Sequence, residues 1–156
     1  MLTIDCTVDH AAWGDESPLH DLSTESIQAV LAFCDETIPN EAEVSLLFTD
    51  NATIQKLNRD WRDMDKPTNV LSFAANEGGG PVTPLLGDIV LAHETIAQEA
   101  IAQNKAFADH LRHLVIHGFL HLIGYDHIEE DDALRMETAE IQALDSMGIA
   151  DPFAAP

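Results

Sequence analysis

Cations are scarce in this chain of 156 residues, where 7 Lys+Arg stand against 28 Asp+Glu and leave a formal net charge of −21. So acidic a surface repels polyanions, which excludes non-specific wrapping of DNA and a broad electrostatic hold on RNA or anionic membrane. Cysteine is scarcer still. Cys6 and Cys34 lie 28 residues apart with no Cys-x-x-Cys pairing, so a disulfide framework is excluded, and two buried thiols in a reducing, cytoplasmic compartment are expected. No apolar run approaches the ~18 residues of a membrane span. The first residues, Met1-Leu2-Thr3-Ile4-Asp5, show neither a basic region nor an apolar signal stretch. The chain is therefore expected neither to span nor to anchor in a membrane. The one glycine-rich tract, residues 77–81, lacks Gly-x-Gly-x-x-Gly spacing and reads as a connecting loop. With 46% hydrophobic residues, this length buries a core without help from disulfides or metal. Residues 1–156 are expected to form a single domain, in which any metal needs a functional reason.

Residues 2–8 alternate apolar and polar, the pattern of a half-buried strand. Ser23 reads as an N-cap, behind which Ile27, Val30, Leu31, Cys34 and Ile38 share one helical face until Pro39. Residues 43–49 read as a strand. Asp50 caps a short helix whose buried side is Ile54, Leu57 and Trp61. Strands are expected at 69–75 and 86–92, and helices at 95–105, 107–124 and 131–146. The order predicts an α+β fold, a small mixed four-stranded sheet packed with helices, with a metal site at a helix end.

That site rests on three histidines. His117 and His121, four residues apart, point from one helical face about 40° apart and about 6 Å along the axis, within reach of one ion. Gly124 permits the left-handed turn that ends the helix and brings His127 to the same place. Three neutral imidazoles with a fourth position left to water are the usual catalytic zinc arrangement, although such a site also accepts other divalent ions. His113 extends the stripe, but the rise of roughly 12 Å from His113 to His121 is too long for both to ligate one ion. His113 and His110 are therefore read as surface or packing residues. The spacing is that of the extended zinc-protease motif His-Glu-x-x-His-x-x-Gly-x-x-His, but Gly118 stands where the general-base Glu belongs. Peptide hydrolysis by that route is undercut. Asp126 is expected to orient an imidazole or supply a nearby carboxylate, and Met136 and Met147 are read as helical core.

Four of the seven cations, Lys56, Arg59, Arg62 and Lys66, fall within eleven positions, where uniform scattering leaves about half of one. One reading is pairing with Asp60, Asp63 and Asp65. The other is a local phosphate-recognising patch, because an Arg fork matches phosphate oxygens.

Three blocks, taken together, resemble a known family: Leu57-Asn58-Arg59-Asp60-Trp61-Arg62-Asp63-Met64-Asp65-Lys66-Pro67-Thr68-Asn69-Val70-Leu71-Ser72-Phe73, then Leu86-Gly87-Asp88-Ile89, then the stretch from His117 to His127. The chain from about residue 43 to 148 is similar to the YbeY family, bacterial metal-dependent endoribonucleases implicated in ribosomal RNA maturation and ribosome quality control. The resemblance implies that His117, His121 and His127 are zinc ligands and that Arg62 is the catalytic arginine. It also puts Asp88 at a family position near the cleft. Ala74 stands where many members have Pro, and the loop at Gly78–Gly80 is specific to this chain.

The expected activity is cleavage of single-stranded RNA, whose unstacked backbone enters a narrow cleft. Lys56, Arg59 and Lys66 are expected to contact RNA beside Arg62. Ribosomal RNA is then the substrate, and small-subunit ribosomal proteins are candidate partners. Two alternatives stand: a ribosome assembly factor with a structural zinc, and a metal hydrolase acting on a substrate other than RNA.

Overall fold

The computed structural model describes residues 1–34, 36–77 and 81–154. The Gly78–Gly80 part of the expected loop lies outside them. Four strands form one sheet, β1 (Thr3–Val8), β2 (Glu43–Thr49), β3 (Val70–Ala74) and β4 (Leu85–Ala92), in the order β1-β2-β4-β3. β1 with β2 and β2 with β4 are parallel, whereas β3 runs antiparallel to β4 and forms an edge. The expected mixed sheet is present, and the architecture is α+β.

β4 lies inside the sheet and is apolar on both faces. Ile89 and Leu91 enter the main core, while Val90 and Ala92 join Ile54 in a smaller cluster on the opposite face, beneath α2 (Asn51–Arg62). Gly87 has φ of +133°, and a Cβ there would sit 2.2 Å from the Phe73 carbonyl oxygen. Only glycine admits that approach of β3 to β4, which accounts for the glycine of the Leu86-Gly87-Asp88-Ile89 block. The main face carries α1 (Glu16–Leu31) and α4 (Phe107–Leu122), α5 (Glu130–Ser146) packs on those two helices, and α3 (His93–Ala102) leads from β4 toward α4. α4 is buried almost all round, from His110 and Leu111 to Leu122.

Three expectations are corrected. Ser23 is no N-cap: α1 starts behind Asp15, and Ser23 is wholly buried within the helix. The helix ends at Leu31, so Ile38 is not part of it. Trp61 is 69% exposed, because the side of α2 that meets the sheet ends with Ile54 and Leu57. Of the thiols, Cys6 is buried and pushed up to about 11 by desolvation, whereas Cys34 is half-buried and donates to the Val30 carbonyl. Asp50 caps α2 as expected, accepting from the Thr53 N–H at 2.8 Å. Among the described residues, no helix is long and apolar enough to cross a membrane.

Candidate metal centre

α4 ends as its sequence demands. Gly124 takes φ of +103°, and the Tyr125 N–H reaches back to the Leu120 carbonyl at 2.9 Å, while that of Gly124 reaches His121 at 3.2 Å. Asp126 then accepts from the backbone N–H groups of His127 and Ile128 at 2.6 and 3.1 Å. Asp126 therefore shapes the loop that carries His127, and of its two expected roles the carboxylate beside the cluster is the one in place: it lines the same cleft as the histidines, and its hydrogen bonds go to backbone rather than to an imidazole. The result gathers His117, His121 and His127, with one ring nitrogen from each lying within 4.8 Å of the others.

The second nitrogens decide what the cluster can do. His117 Nδ1 is 2.6 Å from Glu140 Oε1, and His121 Nδ1 is 3.0 Å from the Tyr125 carbonyl oxygen. Both acceptors need a proton on Nδ1, which leaves each Nε2 with a lone pair. Those two Nε2 atoms face each other at 3.2 Å. Two lone pairs so close repel unless a cation lies between them. Tetrahedral zinc, about 2.0–2.1 Å from each nitrogen, sets neighbouring ligands roughly 3.3 Å apart, so the donor set fits a divalent ion. Burial, with the nearby His117 and His127, lowers His121 to about 4 and keeps it neutral and able to bind metal.

Glu140, on α5, is the residue that sequence reasoning missed. It is 1% exposed, and its other oxygen accepts from His113 Nε2 at 3.1 Å. Burial alone raises such a carboxyl, but hydrogen bonds from His113 and His117 prevail and hold it at about 2. His113 thus packs beside the cluster without joining it, and buried His110 bonds Glu99 at 2.9 Å. The sequence marks Glu140 only as a buried acid, at an apolar position of a stripe that also contains Met136, Ala139, Ala143 and Leu144, and not as the partner of His117.

Gly118 has its own reason. A Cβ there would meet Ile89 Cγ2 at 2.8 Å and Ser72 Oγ at 3.1 Å, and Ser72 Oγ donates to the Gly118 carbonyl at 2.9 Å. The position that carries Glu in the proteases is here the seam between α4 and the sheet.

A cleft of about 650 Å³ is lined by residues of β3, Ser72 among them, by His117, His121 and His127, and by Arg62 and Glu77. Arg62 is held by the Ser72 carbonyl at 2.8 Å, by an ion pair with Glu77, and 4.9 Å over the Phe73 ring. Lys56, Arg59 and Lys66 are exposed outside that lining, with Arg59 paired to Asp60 at 3.0 Å. The structure thus brings Arg62 to the histidines and leaves the other three cations on the flank. Asp88 is exposed and also lies outside the cleft, on the β4 face shared with Val90.

Comparison with known proteins places the chain in a family. Residues 12–148 match the family model described as Endoribonuclease YbeY, a longer match than the 43–148 read from motifs. Proteins named Endoribonuclease YbeY from Azorhizobium caulinodans and Sinorhizobium fredii are 46% and 45% identical, over 99% and 97% of this chain and 98% and 92% of their own. The solution structure of TM1509 from Thermotoga maritima shares the fold with a TM-score of 0.57 at 22% identity, covering 99% of this chain and all of that one. On this evidence the chain belongs to the endoribonuclease YbeY family.

Proposed function

We propose that this chain is a zinc-dependent endoribonuclease of single-stranded RNA, acting in the cytoplasm in ribosomal RNA maturation and ribosome quality control, with residues 1–156 as one functional domain. Members of an endoribonuclease family hydrolyse RNA phosphodiester bonds, and this chain is one of them. Metal dependence is supported chiefly by the opposed Nε2 atoms of His117 and His121, 3.2 Å apart in the cleft that Arg62 also lines.

His117, His121 and His127 would hold a divalent ion, which when bound would supply Lewis acidity toward a phosphoryl oxygen and toward water. Glu140 and the Tyr125 carbonyl hold the Nδ1 protons, so the rings present Nε2 in a fixed orientation. In the same cleft, Arg62 is anchored by Ser72, Glu77 and Phe73, and its remaining N–H donors bind the scissile phosphate and offset the charge that develops on it. Lys56, Arg59 and Lys66 guide flanking backbone, and small-subunit ribosomal proteins supply the grip that so acidic a chain lacks.

The test is cleavage of a labelled single-stranded RNA by metal-stripped and zinc-restored protein, with His121→Ala carried through the same preparation. Cleavage should follow zinc and vanish in the variant. Stoichiometric zinc without cleavage refutes the reading. Arg62→Ala should lower the cleavage rate by about 10²–10³ while zinc content and melting temperature stay unchanged; loss of either assigns Arg62 a structural role.

A further inference from the structure

Trp61 lies in solvent where its sequence pattern calls for burial. The apolar side of α2 is complete with Ile54 and Leu57, and position 61 falls at the helix end, beside the edge strand β3. The indole meets Phe73 edge-on, with centroids 6.5 Å apart and planes at 68°, yet the residue stays 69% exposed. The same Phe73 ring carries the Arg62 guanidinium at 4.9 Å. One ring therefore ties the exposed indole to the arginine of the cleft. Arg59, Lys56 and Lys66 are exposed on the same stretch of chain, which holds four of the seven cations.

An exposed aromatic among cations, continuous with a cleft for phosphate, is how proteins hold single-stranded nucleic acid: bases stack on rings while cations track the backbone. We propose that Trp61 is a stacking platform for one unpaired base of the RNA, adjacent to the phosphate held by Arg62. This rests on the ribonuclease reading above and deepens it. Bases inside a duplex offer no free face, so the platform selects single strands. A protein partner is the rival occupant, and the test separates the two.

Trp13, the second of the two tryptophans, is 8% exposed, so the emission that soluble quenchers reach belongs to Trp61. Zinc-loaded protein is titrated with a 2′-O-methyl single-stranded oligonucleotide, with an abasic strand of equal length, and with the annealed duplex, using Trp61→Phe as the blank. The single strand should quench and protect Trp61, whereas the abasic strand and the duplex should not. Trp61→Ala should raise KM roughly tenfold with kcat within about twofold, and Trp61→Phe should restore most of the loss. Binding seen by oligonucleotide anisotropy without a change in Trp61 emission overturns the proposal, as does equal quenching by the abasic strand or an unchanged KM in Trp61→Ala. Normal cleavage without quenching refutes the platform alone; quenching without cleavage leaves the platform and refutes the ribonuclease reading.

Discussion

One buried carboxylate holds two rings in place. Glu140 accepts from His113 and His117, so replacing it by Gln keeps the shape but supplies one acceptor oxygen where two were used. Glu140→Gln should weaken zinc affinity by about 10–100-fold, read by competition with a chromophoric chelator. Unchanged affinity would show that His117 is oriented by packing alone. At this scale the three histidines were legible, because a spacing of four and a glycine turn are local properties of the chain. Glu140 was not, since it lies 23 residues from His117 in sequence and only the packing of α5 on α4 joins them. Trp61 was misread for a related reason: helical period says which side of α2 faces inward, but not where the sheet beneath it ends.

At the scale of elements, α4 does two things that its glycines make compatible. Gly118 lets the helix close on β3 and β4, and Gly124 lets it stop and return His127. Gly118→Ala should cost about 1–3 kcal/mol by forcing Ile89 and Ser72 aside, measured by urea denaturation; a neutral effect would mean the seam is loose. Gly124→Ala meets no steric neighbour but must pay for its positive φ, about 1 kcal/mol or more. It should weaken zinc binding more than it lowers stability. The start of α1 was misplaced because Ser23, of a residue type that caps helices, stands just before the apolar stripe that begins at Ile27. In the structure Pro18 sits in the first turn, where a backbone N–H has no partner within the helix and its absence costs nothing.

For the whole molecule, charge and pH make two further predictions. The scarcity of cations implies few phosphate contacts, and four contacts, those of Arg62, Lys56, Arg59 and Lys66, give a loss of RNA affinity of about fiftyfold between 50 and 200 mM salt. A much steeper salt dependence would indicate a larger basic surface than Arg62 and its neighbours. In metal-free protein, His121 has its folded value lowered from 6.5 to about 4. The unfolded chain therefore takes up the proton first, and the stability held above pH 6.5 is lost as pH falls toward 4. Glu140, lowered from 4.5 to about 2, contributes above pH 4.5 and loses that contribution as pH falls through about 2. Melting temperature should thus decline steadily from pH 7 to 3, by several degrees, with a shallower upper limb in His121→Asn. A flat profile between pH 6.5 and 4 would contradict the burial of His121.

The α+β class, most strand positions, the grouping of the three histidines and the cluster of cations followed from the sequence by itself, because each depends on period, capping or spacing within a few residues. The tertiary structure alone decided which cation faces the histidines, which acid holds their protons and which aromatic stays in solvent. Those outcomes depend on where a sheet edge falls and on which helices touch, and such long-range contacts leave no fixed spacing along the chain.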